Sequence, residues 1–320
     1  MPPVNRKQPV RAKSSESQYS LMEFMKEYPT DEACLEFLWR SRYAPDGTHA
    51  ECPKCEQVRE FRRYEHAQQR QAWTCIGCGK HLAPTAGTIF HKSSTSLHLW
   101  FYAMYLMAST RCGISAKQLE RELGVTYKTA YRMAQLIRTH LMAADSEPFE
   151  GNTPIEMDET YIGGKRRPWH GVKATGRPGE KDLTMTPVFG MVQRKGRVVC
   201  MPVRSVKGAT LLPHVIERVL PASTIYTDEF KVYDGLANTT KKYDHQRIRH
   251  AERIYVSGDV HTNTIEGFWS LVKRGLDGVY HSVSRKHLQG YLNEYAWRYN
   301  HRNEPRAHFE QLLLRAALPR

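Results

Sequence analysis

The stretch IEMDETYIGGK, residues Ile155 to Lys165, sets three carboxylates, Glu156, Asp158 and Glu159, into an apolar, strand-like segment. Side chains along a strand alternate with a period of two, so Glu156 and Asp158 share one face while Ile155, Met157 and Tyr161 share the other. Two acids side by side repel each other unless something positive stands between them, and a metal ion or a basic side chain would serve. Lys165, Arg166 and Arg167 are the nearest bases, and Glu156 and Glu159 are expected to pair with them.

Outward from this strand, TPVFGMVQ (186–193) and RVVCMPVR (197–204) read as two more strands joined by a turn at Lys195 and Gly196. GATLLPHVIERVL (208–220) reads as a helix despite Pro213, and STIYTDEF (223–230) as a short strand ending at Asp228. HQRIRH (245–250) suggests a further strand, HTNTIEGFWSLVKR (261–274) opens a helix, and HLQGYLNEYAWRYNHR (287–302) is the last long one. Three strands, helix, strand, strand, helix is the order of an RNase H-like mixed α/β fold. That order puts Asp158 on the first strand, Asp228 at the end of the fourth and Glu266 on the following helix, places that converge in such a fold. Each acid also has a plainer reading. Asp228 could close a turn after its strand, and Glu266, three residues after Asn263, could belong to a capping box. Taken in this order, the three are expected to hold two Mg²⁺ (or Mn²⁺) ions through oxygen ligands. Two such ions, about 4 Å apart, activate an attacking hydroxyl and stabilise a leaving oxygen. Lys273 lies seven residues beyond Glu266, two turns along the same helix face, where it suits a phosphate.

Upstream the chemistry changes. Among 320 residues, Lys and Arg outnumber Asp and Glu by 47 to 33, a net charge of +14 that favours a polyanionic partner. CPKC (Cys52, Cys55) and CIGC (Cys75, Cys78) are separated by 19 residues, a spacing that predicts one structural zinc on four thiolates, with REFRRYEH and RQAWTC as the strands of a hairpin between them. Cys34, Cys112 and Cys200 fall outside this pattern and read as core thiols. TSLHLWFYAMYLMAS (95–109) is apolar all round, as a buried helix should be, and its apolar run is too short to span a membrane. In ISAKQLERELGVTYKTAYRMAQLIRTHL (114–141), Leu119 and Leu123 mark one helix, Gly124 the turn, and Ala130, Met133 and Ile137 a second helix. This is a helix-turn-helix whose second helix would turn Tyr127, Lys128, Tyr131 and Arg132 to DNA. The opening residues to Gln18 are basic, lack the apolar core of a secretory signal, and read as a disordered tail.

CPKC…CIGC, TAGTIFHKSSTSLHLW, IEMDETYIGGK, IYTDEFKVYDGL and HTNTIEGFWSLVKRGLDGVYH, with the YLNEYAWRYNHR ending, together resemble the DDE transposases of bacterial insertion sequences that carry an N-terminal zinc ribbon. The resemblance runs from about Cys52 to Arg302. It implies a multidomain α/β chain: a tail over 1–18, an N-terminal helix and zinc ribbon over 19–92, a helix-turn-helix region over 93–148 and an RNase H-like catalytic domain over 149–310. It implies that Asp158, Asp228 and Glu266 are the catalytic acids, with Asn263 the alternative third position because some members use asparagine there. It further implies that Lys128, Arg132, Lys165, Arg166 and Lys273 contact DNA. The expected activity is binding of an element's terminal inverted repeats and metal-dependent cleavage and strand transfer into target DNA. The enzyme would act in the cytoplasm, on the nucleoid, as a homo-oligomer on DNA, with neither a membrane nor a small-molecule substrate. An inactive DNA-binding regulator and a nuclease that cuts without joining are the alternatives.

Overall fold

The computed structural model describes residues 19–64, 72–110, 112–144, 147–149, 153–163, 185–228, 230–248, 261–302 and 305–319. The basic tail, Lys165 and Arg166 lie outside them. The chain divides into two compact units: Met1–Arg111, Ala116–Ile137 and His301–Arg320 form one, and Cys112–Ser115 with Arg138–Asn300 form the other.

In the first unit, helix α1 (Leu21–Glu27) begins at a capping box in which Ser20 and Glu23 satisfy each other's backbone N–H groups, and α2 (Asp31–Arg42) follows. The ribbon is a four-stranded antiparallel sheet of β1 (His49–Cys52), β2 (Gln57–Arg63), β3 (Trp73–Cys75) and β4 (His81–Leu82) in sequential order. The sequence predicts only the central β2–β3 pair. β1 and β4 are too short to show a period of their own. Trp39 of α2 lies flat on Trp73 of β3, with ring centroids 4.6 Å apart and planes 3° apart, and its Nε1 donates to the Gly47 carbonyl at 2.8 Å. Helix α3 (Leu97–Ser109) is buried along most of its length, as its all-round apolar sequence predicts. Helices α4 (Ala116–Leu123) and α5 (Tyr127–Leu136) form the expected pair, and Gly124 makes the turn at φ +62°, a conformation that costs other residues a clash at Cβ.

The second unit is built on a five-stranded sheet. β5 (Ile155–Ile162) is central, pairing antiparallel with β6 (Thr186–Gln193), which pairs antiparallel with β7 (Val198–Pro202). On its other edge β5 runs parallel to β8 (Thr224–Thr227), and β8 parallel to β9 (Asp244–Arg247). The order β7-β6-β5-β8-β9, with α6 (Gly208–Arg218) between β7 and β8, is that of an RNase H-like sheet. One face packs Val188, Val192 and Ile162 against α7 (Asn263–Gly275) and α8 (Leu288–Asn300). The opposite face packs Ile155, Met157, Phe189 and Met191 against α6 and a 3₁₀ segment, Lys231–Asn238. The period-two reading of β5 therefore holds: its odd-numbered apolar residues face α6, and Glu156 and Asp158 face α7.

Helix α9 (Pro305–Ala317) closes the chain and packs on α2 and α3 of the first unit, where Phe309 stacks on Tyr19 at 5.4 Å. Sequence reading ends the helices at Arg302. Pro305 at a first helical position and the apolar Leu312, Leu313 and Ala316 were the available signal. No described helix is long and apolar enough to cross a membrane.

Candidate active site and metal centre

The metal centre follows from two matching turns. After each Cys-x-x-Cys the backbone N–H of the next residue returns to the first cysteine's carbonyl: Glu56 to Cys52 and Gly79 to Cys75, both at 2.9 Å. Both residues take positive φ, +53° and +71°, so each turn folds back and brings its two thiols together. The sulfurs of Cys52, Cys55, Cys75 and Cys78 all lie within 4.8 Å of one another, with Cys52–Cys78 at 3.5 Å and Cys55–Cys75 at 4.0 Å. A tetrahedron of Zn–S bonds near 2.3 Å has edges of about 3.8 Å, so the four thiols fit one zinc ion. Burial opposes ionisation of Cys52, yet the backbone N–H groups of Cys55 and Lys54 and the neighbouring thiols bring its pKa down to about 6, toward the thiolate that binds metal. Of the other cysteines, Cys34 and Cys200 are buried as expected. Cys112 is exposed and is not a core thiol, because it sits in a short connecting segment and not on an apolar helix face.

The acids of the second unit come from three elements. The parallel register pairs Ile155 with Ile225 and Glu156 with Tyr226, an offset of 70 that, carried two residues on, sets Asp158 level with Asp228 just past the end of β8. Glu266 stands exposed on the first turn of α7, whose helix packs on β5 and β6. Burial and then the charges of Glu159, Asp228 and Glu266 push the Asp158 carboxyl up to about 7, and the backbone N–H of Glu159 opposes them only in part. The structure thus brings Asp228 and Glu266 within electrostatic reach of Asp158. They are spread more widely than the thiols: among the described residues, only the four cysteines gather three or more ligand atoms within 4.8 Å.

The plainer readings of these acids resolve one by one. Asp228 does close a turn, its Oδ1 accepting the Phe230 N–H at 3.0 Å, and a carboxylate so used still has a second oxygen. Glu266 is not in a capping box with Asn263. The N-cap is Thr262, whose hydroxyl donates to Glu266 Oε1 at 3.1 Å, and Asn263 is the exposed first residue of the helix. The orphan N–H groups of that helix are met by Glu156, which was expected to pair with Lys165–Arg167. Glu156 is fully buried, accepts the N–H groups of Thr264 at 2.8 Å and Ile265 at 3.1 Å, and takes an ion pair from Arg194 at 2.7 Å. A buried carboxylate demands several close donors, and a helix N-terminus supplies them together with a favourable dipole. Glu159 points to the opposite face, where the buried Tyr233 hydroxyl donates to it at 2.7 Å. Sequence reading missed the parts played by Glu156, Arg194 and Tyr233. The one available signal was that Glu156 and Asp158 must face the same way.

Lys273 is exposed on α7, and Lys128 and Arg132 are exposed on α5 beside exposed Tyr127 and half-buried Tyr131. Tyr291, Trp297, Arg298 and Arg302 read from sequence equally as core or as phosphate contacts; the first three are buried on α8, and Arg302 is half-buried beyond its end.

Known proteins match along both units. Residues 150–300 match the ISXO2-like transposase domain, and residues 29–81 match the transposase zinc-ribbon domain. An uncharacterised protein in transposable element ISH50 of Halobacterium salinarum is 30% identical over 256 residues, covering 77% of this chain and 84% of that protein. An uncharacterised transposase-like protein of Haemophilus influenzae is 36% identical over 106 residues, covering 33% of this chain and 83% of that protein. A chain of the pre-cleavage Mos1 transpososome overlaps 68% of this chain and 79% of its own length, at a TM-score of 0.27 and 13% identity. With a relative aligned along most of both chains and two domain matches in this order, the chain belongs to the insertion-sequence DDE transposases of the ISXO2-like kind, built with an N-terminal zinc ribbon and an RNase H-like domain.

Proposed function

We propose that this chain is a catalytically competent transposase. In this reading the ribbon and the α4–α5 pair bind the terminal inverted repeats of its element, with Lys128 and Arg132 toward DNA. Asp158, Asp228 and Glu266 cut the DNA ends and join them to target DNA. The observation that supports it is convergence: Asp228, just past the end of β8, and Glu266, on the first turn of α7, come near enough to Asp158 of the central strand to push its carboxyl pKa up. An acid cluster costs stability on its own, since burial and like charge penalise each ionised member, and a fold that assembles one gains from it only when cations are bound.

Asp158, Asp228 and Glu266 would hold Mg²⁺ or Mn²⁺ ions, which when bound supply Lewis acidity to phosphoryl transfer. The chain's own residues do the rest. The Phe230 N–H fixes the rotamer of Asp228, the Thr262 hydroxyl that of Glu266, and the exposed Lys273 offers a charge to the phosphate backbone two turns along α7. Lys165 and Arg166 are proposed as further DNA contacts. The protein would act as a homo-oligomer on paired ends.

The test uses a labelled terminal-repeat duplex with Mg²⁺ or Mn²⁺, scoring binding, nicking and joining separately. Asp158→Asn, Asp228→Asn and Glu266→Gln should each lower nicking by several orders of magnitude, since the members of one site fail together, while DNA binding survives. Undiminished nicking by Asp158→Asn would sink the assignment. Activity in Glu266→Gln but not in Asn263→Ala would move the third position to Asn263. Nicking without joined product would make the protein a nuclease, and binding alone a regulator.

A further inference from the structure

The three elements that carry the acids are also tied together one layer behind them, by a single guanidinium. Arg194 follows the last residue of β6 and begins the turn to β7, its backbone N–H donating to the Pro154 carbonyl at 3.1 Å. Its side chain, only 17% exposed, reaches three of the elements around the acids. Nε donates to Glu156 Oε1 at 2.7 Å, on β5 two residues before Asp158. The guanidinium lies 4.7 Å from the ring centroid of Tyr226, on β8 two residues before Asp228. One terminal nitrogen donates to the His261 carbonyl at 2.9 Å, in the segment that enters α7 five residues before Glu266. Glu156 completes the circuit by accepting the Thr264 and Ile265 N–H groups and the Thr264 hydroxyl at the start of α7, with His261 Nδ1 3.4 Å away.

From this geometry we infer that Arg194 is a positioning residue for the metal site: its fork and flat face, with Glu156, set the spacing among Asp158, Asp228 and Glu266. The inference rests on the triad proposed above. The chemistry explains why the residue is arginine. A lysine ammonium could neutralise Glu156, but it has no planar fork with which to serve a carboxylate and a carbonyl at once while stacking on a ring. Outer-layer partners of metal ligands act in this way elsewhere, and losing one typically costs about 10–100-fold in metal affinity or activity. Glu156 shares with Asp158 the face of β5 turned to α7, two residues nearer the strand's start, so Arg194 and Glu156 act on the acids through the elements they join.

The test measures metal binding directly, by Mn²⁺ titration followed by EPR without DNA, alongside the Mg²⁺ dependence of nicking and the melting temperature. Arg194→Lys keeps the charge and is expected to stay folded, with Mn²⁺ affinity lower by about 10-fold or more. The Mg²⁺ needed for half-maximal nicking should rise in parallel, and the rate should recover at high Mg²⁺. Arg194→Ala should do the same more strongly, and millimolar ethylguanidinium should restore part of its metal affinity. Folded Arg194→Lys with wild-type Mn²⁺ affinity overturns the inference, whether or not Arg194→Ala folds. A nicking loss in Arg194→Lys that Mg²⁺ does not recover also overturns it. Asp158→Asn is the control: if it binds Mn²⁺ as well as wild type does, the triad itself fails and the inference falls with it.

Discussion

Single residues in this protein are read wrongly when their charge is taken at face value. Glu294 and Arg138 are charged, yet both side chains are fully buried, 2.7 Å apart, and Arg298 binds the same carboxylate. Around them Tyr280 donates to Glu294 at 2.8 Å, and the Arg138 guanidinium lies 4.3 Å from the Tyr291 ring centroid. Burial alone would push the Glu294 carboxyl up, but Arg138 and Arg298 hold it down at about 2. The linkage sign follows: the native carboxyl releases its proton below the ordinary carboxylate range of about 4.3, so this stabilisation is complete above that range and is lost as pH falls toward 2. Glu294→Gln leaves two buried guanidinium groups without their anion and is expected to cost about 3–5 kcal/mol. Denaturant melts at neutral pH should show that loss, and repeating them down to pH 3 should show a flatter acid dependence than wild type. A variant as stable as the parent would show that the tyrosines and carbonyls suffice for the arginines. Glu294 and Arg298 stand at the local i,i+4 spacing of a helix pair, but nothing in local sequence marks Arg138 as their partner, because it stands 156 positions from Glu294. Asp158 was legible for the opposite reason: its alternation with apolar neighbours is local.

At the scale of elements, the sheet was legible and the seating of α7 was not. Strand β5 carries a period-two pattern and β6 and β7 are short apolar runs, as strands covered on both faces should be, so their existence and order could be read directly. The start of α7 was read within two residues, but what caps it was not, because its cap is the carboxylate of Glu156 on a strand 108 residues away and no local Ser, Asp or Asn fills that place with a side-chain bond. The second device that seats α7 is an absence. Gly190 of β6 is paired with Asp158, and a Cβ there would meet Trp269 Cζ2 at 2.4 Å and Ile265 Cδ1 at 3.0 Å. The missing side chain lets the indole lie on the sheet beside the acid, and this brings the first turns of α7 close. Gly190→Ala should therefore push the helix outward, with the 1–3 kcal/mol cost typical of overpacking, given as an order of magnitude. Nicking should fall more than that loss of folded protein explains, while DNA binding is unchanged. Equal losses in nicking and in folded fraction would reduce Gly190 to a packing residue.

On the scale of the whole molecule, the two compact units carry ligand sets of opposite kind. The first gathers four soft thiolates that fit a fold-stabilising zinc ion, and the second carries the hard carboxylates proposed above to hold Mg²⁺ or Mn²⁺. The units also differ in what holds them folded. The ribbon strands are two to seven residues long and bury little, so their order depends on the four thiols and on the Trp39–Trp73 stack. The RNase H-like sheet has a packed apolar core on each face, which is expected to hold it folded without metal. Structural zinc contributes about 10–16 kcal/mol of apparent folding free energy in small zinc peptides, so its removal should act on one unit alone. A zinc-selective chelator, used with Mg²⁺ in excess, should release one zinc per chain and lower one of two calorimetric transitions. Near-ultraviolet signals should change as Trp39 and Trp73 separate, and the second transition should stay where it was. Cys75→Ser should reproduce the pattern without chelator, losing recognition of the element's ends but keeping Mg²⁺-dependent nicking of unspecific DNA. If both transitions fall together, the sheet depends on the ribbon for its stability, and the two units are one folding body.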